Sequence, residues 1–175
     1  FVFFILFAFT ITSYSFDDTE EIWNKLDSET KEYLYELGID EISLFNAEKL
    51  KVKMAAEVKN FDVNNFIDKK ESKRMDRYTQ FALIASDEAI KDSNLDLNSL
   101  NKERIGVIFG SGIGGIRTIE AQIRTLALKG PNRISPLTIP MGISNIAAGT
   151  ISIRHGILGS SLSLTSACAT STHCI

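Results

Sequence analysis

The stretch Ser161-Leu-Ser-Leu-Thr165-Ser-Ala-Cys-Ala-Thr-Ser-Thr-His173 decides the fold. Its first five residues read as a strand, and Ser166 onward reads as a turn entering a helix. Cys168 stands at the junction. A helix start aims free backbone N–H groups and a partial positive charge at the residue there. That field favours thiolate over thiol, and the same N–H groups could hold an oxyanion on a carbonyl under attack. The small neighbours Ser166, Ala167 and Ala169 leave the sulfur reachable. The plainer alternative is a buried, inert cysteine.

Working outward, Gly156–Gly159 turns the chain into that strand, and Met141–His155 reads as one helix rich in small residues. Gly130-Pro131 and Pro136 break the chain ahead of it. Ile116–Leu128 reads as a helix, preceded by the glycine turn Gly110-Ser-Gly-Ile-Gly-Gly115 and the buried strand Ile105–Phe109. Asp68-Lys-Lys-Glu71 is a capping box. It opens a helix expected over residues 69–92, striped by Met75, Tyr78, Phe81, Ala82, Ala85 and Ala89. Upstream, Val52–Val58 is a candidate strand, and residues 28–37 hold helix formers with Gly38 as the C-cap. Acids in the first turn predict a short helix at residues 17–27, and the apolar run Phe1–Phe9 predicts a strand. Strands alternating with helices give an α/β class with a largely parallel sheet.

Composition sets outer bounds. The chain has 175 residues, 44% of them hydrophobic and 23% charged, which suits one globular domain. A net charge of −3 argues against a general nucleic-acid binder. The apolar N-terminal run is shorter than a transmembrane helix, which needs about 20 residues. Cys168 and Cys174 are too close in sequence to staple the fold, so a reducing compartment is the default. The chain starts at Phe1 rather than Met and stops soon after Cys168, which leads us to expect a longer parent.

Three constellations need weighing. Gly110-x-Gly112-x-x-Gly115 follows a strand and precedes a helix, as a dinucleotide fingerprint does. The acid that should follow about 20 positions on is missing, and no Asp or Glu follows Glu120. The alternative is a turn that brings backbone close to another buried group. Cys168 and His173 lie about 140° apart on a helix and cannot form a local dyad. With Cys174 they also lack the spacing of a zinc site. Lys69, Lys70, Lys73, Arg74 and Arg77 form the one dense basic cluster. Positions 70, 73, 74 and 77 share one face of the expected helix, with Glu71 and Asp76 off it. Such a face is either merely solvated or a dock for an acidic helix or phosphate.

Together these residues resemble a known family. Thr165-Ser-Ala-Cys-Ala-Thr-Ser-Thr-His-Cys174 is similar to the active-site segment of the elongating type II β-ketoacyl-acyl carrier protein synthases. Lys70-Glu-Ser-Lys-Arg-Met-Asp-Arg-Tyr-Thr-Gln-Phe-Ala82, Ile105–Gly115 and Gly130-Pro-Asn-Arg-Ile-Ser-Pro136 agree in order and spacing. The resemblance covers residues 40–175 and departs over residues 1–39. Within the latter, Phe7–Ser15 lacks the glycines and proline that open the family's fold.

The resemblance implies the thiolase-like fold, of which this chain is the N-terminal half only: a mixed, largely parallel sheet flanked by helices. It implies a transferase of fatty acid biosynthesis in the cytoplasm or plastid stroma, homodimeric, with no metal or nucleotide cofactor. Cys168 takes an acyl group from acyl carrier protein as a thioester. Malonyl-carrier protein then loses CO2, and its carbanion attacks the thioester. Ile113 matches the residue that gates the acyl-chain pocket, supplying the buried group that the glycines admit. Lys70, Lys73 and Arg74, with Arg133, match positions that dock the carrier protein. The segment 137–150 matches the dimer and acyl-pocket region. His155 and His173 do not match the family's two catalytic histidines, so the 175 residues alone are expected to be inactive in condensation.

Rival readings remain at this level. One is a polyketide ketosynthase, whose cysteine segment continues with serines, unlike Ala169-Thr170. Another is a non-catalytic interaction subunit, which usually lacks the cysteine. The third is a functionless truncated product.

Overall fold

The computed structural model describes residues 27–36 and 38–175. The strand expected at residues 1–9 and nearly all of the helix expected at residues 17–27 lie outside them. The described residues fall into two compact units, divided after Asp62.

In the smaller unit, helix α1 (Ser28–Glu36) starts where the Asp27 carboxylate accepts the Thr30 N–H at 2.7 Å. It stops at Gly38, whose φ of +79° suits a residue without a Cβ. Strands β1 (Ile39–Glu41) and β2 (Met54–Ala56) pair antiparallel, with Ile39 opposite Ala56. A Lys59–Asp40 ion pair at 2.5 Å adds a bond between β1 and the segment after β2.

The larger unit begins with a single turn at Val63–Asn65 and helix α2 (Lys69–Ser72). Asp68 caps α2, accepting from the N–H groups of Lys70 and Glu71. Helix α3 follows (Arg77–Asp92), then strand β3 (Val107–Gly110) and helix α4 (Ile116–Lys129). Helices α5 (Thr138–Gly142) and α6 (Ile146–His155) lead to strand β4 (Ser161–Leu164), a turn at Ala167–Ala169 and helix α7 (Thr170–His173). Strands β3 and β4 run parallel, with Phe109 opposite Ser163. Helix α6 packs on both strands, and α3 packs on α6. Small residues let those helices approach closely: Ala82, Ala85 and Ser86 on α3, Ala147 and Ala148 on α6 are all buried around Leu83 and Ile151.

Two expected helices are each split in two. The run over residues 69–92 breaks between Ser72 and Arg77, because Asp76 turns extended and caps a new helix, accepting from the Tyr78 N–H. Lys70, Lys73, Arg74 and Arg77 therefore do not share one helical face. The run over residues 141–155 breaks at Ile143–Asn145. There the Tyr78 hydroxyl donates to the Ile143 carbonyl at 2.5 Å, and the Ser163 hydroxyl donates to the Ser144 carbonyl at 3.2 Å. Side chains from α3 and β4 thus take carbonyls near the break.

Among the described residues, no helix is long and apolar enough to cross a membrane.

Candidate active site

Strand β4 ends where β3 ends, and the two are pinned together at their C-terminal edge. The Ser111 N–H donates to the Leu164 carbonyl at 3.2 Å, and the Thr165 hydroxyl donates to the Ser111 carbonyl at 3.0 Å. The chain then bends sharply. The Ser166 N–H donates to the Thr170 hydroxyl at 2.8 Å, and Ala167 takes a left-handed φ of +47°. That conformation is strained for a residue with a Cβ. It sets Cys168, which is exposed, in a tight turn just ahead of α7.

The opposite side of the turn is closed by Gly110 at the end of β3. A Cβ there would lie 2.4 Å from Thr170 Cγ2 and 2.7 Å from Cys174 Sγ. The glycine lets α7 sit directly against the strand end. Cys174 is buried there, and burial pushes its thiol up from the ordinary value. The two cysteines therefore sit in opposite environments, one reachable and one sealed.

The glycine turn runs from Ser111 to Gly115. The Ser111 hydroxyl accepts the Gly114 N–H at 2.9 Å, and the Gly115 N–H donates to the Gly142 carbonyl at 3.0 Å. A Cβ on Gly115 would meet the Met141 carbonyl oxygen at 2.2 Å. The close approach expected of these glycines is present, but its partners are backbone between Met141 and Ser144 and the α7 segment. Ile113 is not the buried group; it is 54% exposed.

Ile113 instead lines a cavity of about 290 Å³ together with Cys168, Ala167, Tyr78, Phe81 and Ile116. Arg77 and Arg117 also border it. The Arg77 guanidinium lies 4.9 Å above the Phe81 ring, and burial followed by the Arg117 charge draws its pKa down. Tyr78 packs 6.5 Å from Phe109, and burial pushes its phenol up.

His173 Nδ1 lies 2.8 Å from the Ser166 hydroxyl, and no dyad with Cys168 forms. His155 is far along α6, with Nε2 3.0 Å from Asp87 Oδ1 but without the alignment of a hydrogen bond. Among the described residues, no three His, Cys, Asp or Glu side chains converge on a metal position.

The basic residues lie on the outer surface. Lys70 is exposed on α2, and Lys73 and Arg74 are exposed in the connection to α3. Lys73 borders a second cavity of about 450 Å³ that includes Ser135, Leu137 and Arg117. Arg133, also exposed, stands two residues before Ser135 in the turn Pro131–Arg133.

The structure brings Cys168 and Ile113 to one cavity, and the sequence reading did not single out Tyr78, Phe81 and Arg117 as its walls. That reading took Tyr78 and Phe81 as one apolar stripe of α3. Their position just inside the Asp76 cap was the available signal.

Comparison with known proteins places the chain in a family. Residues 12–175 match the profile of the beta-ketoacyl synthase N-terminal domain. The 3-oxoacyl-[acyl-carrier-protein] synthase 2 of Staphylococcus aureus is 47% identical over 138 residues, 79% of this chain and 34% of that protein. The protein of the same name from a Synechocystis strain is 44% identical over 138 residues, 79% of this chain and 33% of its own length. The chain thus spans about a third of the length of these relatives. Among solved structures, the ishigamide ketosynthase/chain length factor has a TM-score of 0.64 at 20% identity, covering 77% of this chain and 35% of that one. A type II polyketide ketosynthase, solved with its acyl-carrier protein and bound to a hexaketide, has a TM-score of 0.55 at 24% identity, covering 62% of this chain and 30% of that one. These two share the thiolase-like fold. The chain belongs to the β-ketoacyl synthase family, and its residues 12–175 correspond to that family's N-terminal domain.

Proposed function

We propose that this chain is the nucleophile-bearing part of a 3-oxoacyl-acyl carrier protein synthase of fatty acid biosynthesis. The observation that carries the reading is Cys168, exposed on a strained turn and facing a largely apolar cavity walled by Ile113, Tyr78 and Phe81. The Cys168 thiolate attacks the carbonyl carbon of an acyl-carrier thioester. A bond from Sγ to carbon forms, the bond to the carrier sulfur breaks, and the carrier thiol leaves with a proton. Malonyl-carrier protein then loses CO2, and the resulting carbanion attacks the acyl carbon. The β-ketoacyl product forms and Cys168 is released as thiolate. The Cys168 N–H and a second N–H from outside this chain hold the oxyanion in each attack. The histidines that assist decarboxylation are not His155 and His173, which do not match the family's catalytic pair.

Ile113 stands at the entrance for the acyl chain. Lys70, Lys73, Arg74 and Arg133 supply the positive surface for the acidic carrier protein. The protein works as a homodimer in the cytoplasm or plastid stroma, with residues 137–150 near the partner.

The test uses the complete protein with acyl-carrier and malonyl-carrier substrates. β-Ketoacyl product and CO2 should appear together, and Cys168→Ser should reduce the β-ketoacyl product to background while carrier binding persists. Undiminished condensation by Cys168→Ser would overturn the assignment.

A further inference from the structure

Asp76 is a carboxylate with 5% exposure in the larger unit, and both of its oxygens are committed. Oδ1 accepts the Tyr78 N–H at 3.2 Å and starts α3. Oδ2 accepts the Thr118 N–H at 2.9 Å and the Thr118 hydroxyl at 2.6 Å, in the first turn of α4. One carboxylate therefore sits at the N-termini of two helices, where both dipoles favour it. Its Cβ is also 3.1 Å from where a Cβ on Gly115 would stand.

The sequence on either side of this contact gives it meaning. Asp76 directly follows Lys73-Arg74-Met75, the basic segment. That segment is itself held: the Gln80 side-chain amide donates to the carbonyls of Ser72 at 3.0 Å and Met75 at 3.3 Å. Thr118 lies in the first turn of α4, three residues after Gly115, where the loop that carries Ile113 ends. The other end of that loop is tied to the cysteine segment through Ser111 and Thr165. Hydrogen bonds and short stretches of backbone thus link the basic segment through Asp76 and Thr118 to the Ile113 loop and on to the Cys168 turn. Basic surface and cavity wall are two sides of one buried contact.

We infer that Asp76 is a positioning residue that couples the basic segment to the Ile113 loop, so that a carrier protein seated on Lys73 and Arg74 sets the loop for acyl transfer to Cys168. This inference rests on the reading given under Proposed function. Asp76 itself touches no reacting atom.

The test compares acylation of Cys168 in the complete protein from two donors of one acyl chain, carrier-bound and attached to a small soluble thiol. Asp76→Asn replaces one acceptor oxygen with a donor. Thr118→Val removes one of the three bonds and is the milder change, whereas Thr118→Ser keeps all three. With the carrier-bound donor, Asp76→Asn and Thr118→Val should lower kcat about tenfold with KM unchanged. With the small thioester both should match the wild type, and Thr118→Ser should match it with either donor. Parallel loss with both donors in Thr118→Val would show a packing role and overturn the coupling, as would an unchanged kcat for the carrier-bound donor. Wild-type protein that acylates Cys168 from neither donor would instead overturn the functional reading, and the inference with it. That outcome is seen before any variant is made.

Discussion

At the scale of single residues, Ala167 and Gly110 do most to place Cys168. Ala167 bears a left-handed φ of +47°, which costs about 1–2 kcal/mol in a residue with a Cβ. Surrounding bonds hold it there: Ser166 to Thr170 on one side, Thr165 to Ser111 on the other. Gly110 leaves no room for a methyl group against Thr170 and Cys174. Gly110→Ala should therefore destabilise the protein by about 1–3 kcal/mol and move α7 off the strand end. Thermal denaturation and the rate of Cys168 alkylation together would check this; an unchanged Tm would contradict the close contact. The cysteine's place between strand and helix was legible in the sequence, because strand pattern and small-residue turn adjoin there. Ala167's conformation was not, since nothing in an alanine announces positive φ. The partners of the glycines were hidden for a related reason: they lie far along the chain from Gly110 and Gly115.

Among elements, the two unexpected helix breaks show what local pattern omits. Residues 69–92 carry helix formers and an apolar stripe throughout, so a single helix was the natural expectation. The break is set by Asp76 binding Thr118, 42 residues away. A hydrogen bond over that separation leaves no trace in spacing. A second cross-element contact yields a pH prediction. Arg154 of α6 bonds Asp87 of α3 at 3.1 Å and Glu71 of α2 at 3.4 Å, and His155 lies beside Asp87. Lys102 donates to the His155 carbonyl at 3.3 Å. Burial draws the His155 pKa below its ordinary value, outweighing the opposing pull of Asp87. The folded chain therefore resists a proton that the unfolded chain accepts near pH 6.5. Stability from this group is complete above about pH 6.5 and declines as pH falls below it. Tm measured between pH 5 and pH 8 should fall more steeply on acidification in wild type than in His155→Gln. Equal slopes would show that His155 titrates alike in both states.

Taken whole, the larger unit leaves wide apolar surface uncovered. Ile153 on α6 is 84% exposed and Leu128 on α4 is 75% exposed. Helix α4 has no buried residue, although Ile116, Ile123 and Leu126 recur along it. Among the described residues, strands β3 and β4 make a two-stranded sheet. Patches of this kind mark surfaces that are normally covered, which fits a chain spanning about a third of its relatives. The 175 residues produced alone should bind a hydrophobic dye and self-associate, whereas the complete protein should do neither; a monodisperse, dye-free preparation would contradict this. Charge acts at the same scale. Reversal at Lys70→Glu with Arg74→Glu should raise KM for the carrier protein about tenfold and flatten its dependence on salt. An unchanged KM would remove those residues from docking. The α/β class and the parallel pairing of β3 with β4 were legible from alternating elements, because each element carries its own periodicity. Which faces remain uncovered was not, since that depends on how elements distant in sequence pack. The most direct measurement is the intact mass of the complete protein after exposure to acyl-carrier protein, followed by peptide mapping. One acyl group should appear on the peptide carrying Cys168, hydroxylamine should remove it, and Cys168→Ser should not acquire it. An acyl group on another residue, or none on the wild type, would contradict the account.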